Sequence, residues 1–126
     1  QQANILAKML ELRNNEFRRI SLFEEFSPKV DVVFVGDSIT EGAEWSDFFP
    51  NISVANRGVG SDITADILRR LDSIVSLKPK YAFIMVGIND IDRGVPLSQT
   101  LSRYVAIVKS LQKNGIEVVI QSTIQC

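Results

Sequence analysis

Three short stretches of this chain carry residue types that could do chemistry together: Gly36-Asp37-Ser38-Ile39, Asn56-Arg57-Gly58-Val59-Gly60-Ser61-Asp62 and Gly87-Ile88-Asn89-Asp90. Ser38 offers a hydroxyl two residues beyond Gly36, which ends the apolar run Val32-Val33-Phe34-Val35. Acyl transfer to a serine needs a hydroxyl nucleophile, a base, and hydrogen-bond donors aimed at the oxyanion of the tetrahedral intermediate. The donors are here: the Ser38 backbone amide, a backbone amide in the second stretch, and the Asn89 side-chain amide, which donates without bringing a charge. One such donor is worth about 3 to 4 kcal/mol in a transition state. The base is what the chain lacks, because it contains 0 histidines and imidazole is the usual partner of a hydrolytic serine. Asp37 and Asp90 do not replace it. Acids in such turns hydrogen-bond backbone amides, and carboxylates are poorly matched to a serine proton.

These stretches need elements that bring them to one place. Val30 to Val35 reads as a buried strand stopped by Gly36, Ile52 to Ala55 as a second, and Tyr81 to Val86 as a third stopped by Gly87. Between them, Ile63, Ile67, Leu68, Leu71, Ile74 and Val75 repeat at helical spacing, predicting a helix from about Asp62 to Leu77 with Ser61 or Asp62 as N-cap and Pro79 beyond its end. Leu101, Tyr104, Val105, Val108 and Leu111 predict another over about Leu97 to Lys113, stopped by Asn114-Gly115. Ile116 to Ile124 is a fourth strand. Ahead of all this, residues 3–26 carry Ile5, Leu6, Met9, Leu10, Phe17, Ile20 and Phe23 at helical spacing. They predict an amphipathic helix that ends before Pro28 and packs on the core. Trp45 to Pro50 is a short helical turn, with Trp45 packing beside Phe48 and Phe49.

Strand alternating with helix implies right-handed βαβ crossovers and a parallel sheet. The fold class is α/β, a flavodoxin-like three-layer α/β/α sandwich with strand order 2-1-3-4. That order puts strand one between two and three, so the turns holding Ser38, Gly58 to Asp62 and Asn89 meet at one rim, where open α/β sheets bind ligands.

Composition narrows the partners. With 126 residues the chain is one domain's worth, and 14 Lys+Arg against 15 Asp+Glu leave no broad field to recommend nucleic acid or an anionic membrane. No apolar run approaches the roughly 20 residues of a membrane span. The single cysteine, Cys126, cannot form an internal disulfide. No metal site is expected, because without histidine or clustered cysteines it would need a carboxylate cluster, and no cofactor is expected. The chain begins Gln1-Gln2, which leaves its compartment open between the bacterial cytoplasm and the periplasm or exterior.

The three stretches resemble the first three conserved blocks of the SGNH, or GDSL, hydrolases, in order and at ordinary spacing on the ends of three successive strands. The likeness runs from about Leu22 to Ile124. The lead-in Leu22-Phe23-Glu24-Glu25 and Trp45 look most like the bacterial branch similar to platelet-activating-factor acetylhydrolase and carbohydrate O-acetylesterases. The resemblance implies a serine esterase acting on acyl, chiefly acetyl, esters of a small molecule, carbohydrate or lipid. It makes Ser38 the nucleophile and a backbone donor, Asn89 the side-chain donor, and Asp37, Gly60 and Asp90 supporting residues. Ser61 stands where most relatives have the glycine that supplies the second backbone donor; if the position needs a positive φ, serine carries strain there.

One departure is larger. The family's last block, an aspartate followed three residues later by the catalytic histidine, lies after a fifth strand, and this chain stops after its fourth. The 126 residues are therefore expected to be the N-terminal two-thirds of one hydrolase domain, lacking the fifth strand, the helix after it and the Asp/His pair, and nearly inactive alone. A strand over 116–122 without its neighbour would pair with the missing segment or with a second copy of the chain. Rival readings fit less well. A phosphoacceptor receiver domain wants an acidic pair after strand one, a dinucleotide site wants a third glycine where Ile63 stands, and a phosphate loop wants Lys-Ser/Thr after Gly42. A non-catalytic binding protein on the same scaffold is the remaining alternative, favoured by the absent histidine and opposed by the intact Ser38 and Asn89.

Overall fold

The computed structural model describes residues 18–25 and 28–121. Helical residues 18–25 (α1) lead to β1 (Val32–Gly36), α2 (Ser38–Glu41), α3 (Trp45–Phe48) and β2 (Val54–Gly58). The chain continues through α4 (Thr64–Arg69), α5 (Leu71–Val75), β3 (Tyr81–Met85), α6 (Ile88–Asp92), α7 (Leu97–Lys113) and β4 (Glu117–Ile120). The four strands form one sheet in the expected flavodoxin-like order β2-β1-β3-β4, and every pair is parallel, as the alternation of elements predicts.

Apolar side chains alternate across the pleat, so each face of the sheet has its own cover. On one face Val33, Val35, Ala82 and Ile84 pack against Ile67, Ile74, Ile107 and Leu111 from α4, α5 and α7, all fully buried or nearly so. Each large side chain so buried contributes about 1.5–3 kcal/mol, which makes this layer the main adhesive of the fold. On the other face Phe34 stacks on Trp45 at 4.0 Å between ring centroids and on Phe83 at 5.2 Å, with Phe49 at 6.0 Å. Trp45 Nε1 donates to the Thr40 carbonyl at 2.9 Å, so the indole packs and also fastens the end of α2.

The structure corrects several boundaries. The helix expected from Asp62 to Leu77 breaks at Arg70, whose φ of −109° and ψ of 18° end α4 and start α5. Its side chain explains the break: Nε donates to Asp62 Oδ2 at 2.9 Å and Nη2 to the Gly36 carbonyl at 3.3 Å, pulling the residue toward the strand ends. The N-cap is Ile63, not Ser61 or Asp62; Asp66 accepts from the Ile63 amide at 3.0 Å, and Asp62 is committed to Arg70. Strand β2 runs on through Asn56, Arg57 and Gly58, which the apolar pattern assigned to a turn, because their backbones pair with Phe34, Val35 and Gly36 whatever their side chains are. Residues 88–92 form a helix where only a turn was expected. Helix α7 has the predicted bounds. Of the helix expected over 3–26, residues 18–25 are helical and the remainder lies outside the described residues, as does the end of the strand expected over 116–124.

Candidate active site

Register brings the three stretches to one rim. Gly36 pairs with Gly58 on one side and with Met85 on the other. Ser38 therefore lies two residues past a common line, Ser61 three and Asn89 four. Two glycines make the approach possible. A Cβ on Gly36 would meet Thr40 Oγ1 at 2.2 Å and the Met85 carbonyl at 2.5 Å, and one on Gly58 would meet the Glu41 backbone nitrogen at 2.3 Å. Without side chains there, α2 seats directly on the ends of β1 and β2.

Ser38 is the first residue of α2 and is exposed. Asp37 caps that helix: its Oδ1 accepts from the Ile39 amide at 3.1 Å, while the residue is 1% exposed and Oδ2 has no partner among the described residues. Asp90 is fully buried and accepts from the Thr64 amide at 3.0 Å, the Thr64 hydroxyl at 2.7 Å and the Thr100 hydroxyl at 3.4 Å. It thus pins the start of α4 and the first turn of α7 to the loop carrying Asn89. Both acids are occupied with the backbone turns around Ser38 and Asn89.

The second turn is held from several sides. Asn89 Nδ2 donates to the Asp62 carbonyl at 3.0 Å, placing the third stretch against the second. Glu41 Oε2 accepts from the Gly60 amide at 3.1 Å, and Arg93 Nη2 donates to the Ser61 carbonyl at 2.6 Å. Ser61 adopts a φ of 69°, the left-handed geometry that favours glycine. Among the described residues, no acceptor pairs with the backbone N–H of Ser38 or of Ser61. The Asn89 amide also keeps a second hydrogen beyond the one given to Asp62. Each of the three turns thus carries an N–H that is without an acceptor among the described residues.

Beneath this rim lies a cluster of guanidinium groups. The Arg57 carbon lies 4.3 Å from the centre of the Phe23 ring, Arg19 5.0 Å and Arg70 5.8 Å. Burial pushes the Arg57 pKa down, and the neighbouring Arg19 and Arg70 push it the same way; burial also lowers Arg70, against the pull of Asp62. Both stay charged at any physiological pH. A polar cavity of about 380 Å³ opens beside Ser61, lined by Arg69, Arg70 and Arg93 against Asp62, Asp66 and Glu24. An apolar cavity of about 450 Å³, lined by Val32, Phe49, Ile52 and Phe83, lies at the opposite end of the strands, away from Ser38. No group of three His, Cys, Asp or Glu side chains among the described residues is arranged to hold a metal.

Sequence reasoning missed Arg19, Glu41 and Arg93. Glu41 stands three residues after Ser38, just beyond the first stretch, and closes a four-residue helix that the sequence did not announce. Arg93 lies four residues after Asn89, one turn along a helix that was not foreseen. Arg19 had no local signal, because its partners lie 37 and 39 positions away.

A parallel α/β sheet with its polar turns gathered at the carboxyl ends of β1, β2 and β3 is an α/β fold of the SGNH-hydrolase type. The chain belongs to the GDSL-like Lipase/Acylhydrolase family, whose model matches residues 34–126. It is 32% identical over 118 residues to the uncharacterized lipoprotein YqeF of Bacillus subtilis, covering 75% of this chain and 48% of that protein. Over 66 residues it is 35% identical to platelet-activating factor acetylhydrolase IB subunit alpha2 of Homo sapiens, covering 48% of this chain and 29% of that one. Among solved structures, a Bacteroides fragilis protein assigned as an acylhydrolase is 30% identical with a TM-score of 0.70, over 85% of this chain and 56% of that one. A GDSL-like lipase from Bacteroides thetaiotaomicron shares the fold with a TM-score of 0.72 at 24% identity, over 87% of this chain and 58% of that one. The chain thus spans about half the length of these relatives, and less of the human subunit.

Proposed function

We propose that these residues are the nucleophile and oxyanion part of a single-domain serine esterase that hydrolyses acyl esters, with acetyl favoured, of a small molecule, carbohydrate or lipid. Ser38 is its nucleophile. The Ser38 and Ser61 amides and the Asn89 side chain receive the oxyanion, and Asp37, Gly60 and Asp90 support the turns that carry them. What supports the reading is the adjacency of the three strand ends whose turns carry an exposed serine and these N–H groups, in a chain of the acylhydrolase family. With 0 histidines the 126 residues hold no imidazole base. A base and its orienting acid must come from elsewhere, and the 126 residues alone are nearly inactive. Donors without a triad leave at most about 10³ to 10⁴-fold over water. The outer edge of β4, unpaired among the described residues and with Val119 and Ile120 exposed, supports pairing with a further segment of chain or with a second copy.

Fluorophosphonate labelling and p-nitrophenyl acetate hydrolysis test this directly. The protein expressed from its full reading frame labels at Ser38 and turns over ester; Ser38→Ala abolishes both, and Asn89→Ala lowers kcat by about 10²–10³. The 126-residue chain by itself does neither. Turnover by the 126-residue chain that Ser38→Ala removes would overturn the claim of inactivity. No labelling at full length would favour the second reading, a binding protein on this scaffold. A preference for long acyl chains over acetyl would remove the acetyl assignment alone.

A further inference from the structure

We propose that Glu41 and Arg93 are positioning residues that hold the Gly60–Ser61 segment in its left-handed turn, so that the Ser61 N–H stays aimed at the reacting centre. The proposal rests on the esterase reading for its consequence in catalysis, while its structural content stands on the contacts themselves.

A φ of 69° at Ser61 is costly for any residue with a Cβ, and the turn that contains it has easier conformations available. In the simplest of these the peptide joining Gly60 to Ser61 rotates, and the Ser61 N–H turns away from the rim. A glycine would sit in the left-handed geometry at no steric cost. With serine there, something must hold the turn, and the backbone groups around Ser61 are tied one after another. The Gly60 N–H donates to Glu41 Oε2 at 3.1 Å, the Ser61 carbonyl accepts from Arg93 at 2.6 Å, and the Asp62 N–H donates to the Val59 carbonyl at 3.3 Å. Asn89 takes the Asp62 carbonyl at 3.0 Å. Among the described residues the Ser61 N–H is left without an acceptor.

The clamp draws on all three stretches. Glu41 closes the helix that begins with Ser38, and Arg93 caps the helix that carries Asn89. Glu41 is itself steadied by Arg19, whose Nε lies 3.2 Å from Oε1. With the Gly60 N–H donating to Oε2 and a cation at Oε1, the carboxylate is fixed at both ends, so it can set the orientation of the Gly60 amide as well as its distance.

The test uses the protein from the full reading frame, with two readouts. Glu41→Ala is expected to lower kcat for p-nitrophenyl acetate about tenfold with KM little changed, short of the 10²–10³ lost when a donor is removed outright. Glu41→Gln, which keeps an oxygen for Gly60, recovers most of that loss. Arg93→Ala, at an exposed position that tolerates truncation, lowers kcat several-fold by the same route. In a Ser61→Gly background the cost of Glu41→Ala shrinks, because glycine holds the turn unaided; a merely structural role gives additive losses instead. The second readout is independent of activity: the ¹H–¹⁵N signals of Gly60 and Ser61 move in Glu41→Ala and stay in Glu41→Gln. Unmoved signals, or additive losses with Ser61→Gly, overturn the clamp. Signals that move as expected in a protein with no esterase activity support the clamp and overturn the esterase reading.

Discussion

The two edges of this sheet are treated differently. At β2 the outward carbonyls of Asn56 and Gly58 both accept from one guanidinium, Arg19 Nη2 at 3.3 Å and Nε at 2.6 Å. The start of the same strand is laced to β1 through Asp31 and Ser53, whose hydroxyl donates to Asp31 Oδ2 at 2.9 Å and accepts from the Asp31 amide at 2.9 Å. At β4 no described residue plays either part, and Val119 and Ile120 are 38% and 58% exposed. An edge strand offers unpaired N–H and C=O groups to any passing strand, so a side chain that occupies them closes the edge. The guarded edge is also the one next to the candidate site, because Arg19 reaches Glu41 as well as β2. Edge protection and site geometry are one set of contacts on the β2 side.

The most disruptive way to break that side is Gly58→Ala. The new methyl would meet backbone atoms of Thr40 and Glu41 at 2.7 and 2.3 Å, and backbone cannot swing aside as a side chain can. Strand β2 and helix α2 must separate, with a loss of about 3 kcal/mol by chemical denaturation and loss of Ser38 labelling in the full-length protein. A stability change under 1 kcal/mol would mean that the two elements are not tightly seated.

Next in size is Arg19→Ala. It leaves two strand carbonyls and the Glu41 carboxylate without their cationic donor, at a cost of about 2 kcal/mol. The contrast is Ile120→Lys on the opposite edge, which removes no contact that holds the fold. It changes stability by no more than about 0.5 kcal/mol, while the added charge lowers any self-association seen by light scattering. Equal losses at the two residues would erase the distinction between the edges.

How much of this the sequence disclosed depends on whether a feature has a local signature. Alternating strands and helices imply the parallel pairing, and the flavodoxin-like order 2-1-3-4 expected with it is the one observed; α7 has the expected bounds, but Leu101 and Val105 from its expected apolar face are exposed while Ile107 and Leu111 are buried. The register of β2 did not show itself, because Asn56 and Arg57 are strand residues by backbone pairing and turn residues by composition. Nor did the break at Arg70, since an arginine on a helical pattern looks like a solvated charge until Asp62 and Gly36 are seen beside it. The positive φ at Ser61 was anticipated only as a condition, from the glycine that relatives carry there. Arg19, Glu41 and Arg93 act across the fold, and no spacing along the chain encodes such contacts.

The smallest effect is a pH dependence at the start of β2. Asp31 has its pKa lowered from the ordinary carboxylate value, first by the Ser53 hydroxyl, then by the Ser53 backbone, against an opposing effect of burial, with Lys80 and then Lys29 adding smaller lowering effects. A depressed carboxylate stabilises the fold above its unfolded pKa of about 3.9, and that contribution disappears as pH falls through the lower folded value. Ser53→Ala removes the largest cause. Its urea midpoint therefore falls below the wild type at pH 7, and the gap narrows as pH drops below about 3.9. The part that persists in acid belongs to the bond from the Asp31 amide to the Ser53 hydroxyl, which does not titrate. A gap that stays constant with pH would assign the whole tie to that neutral bond. The guard on β2 would then be electrostatic only at its far end, where Arg19 sits.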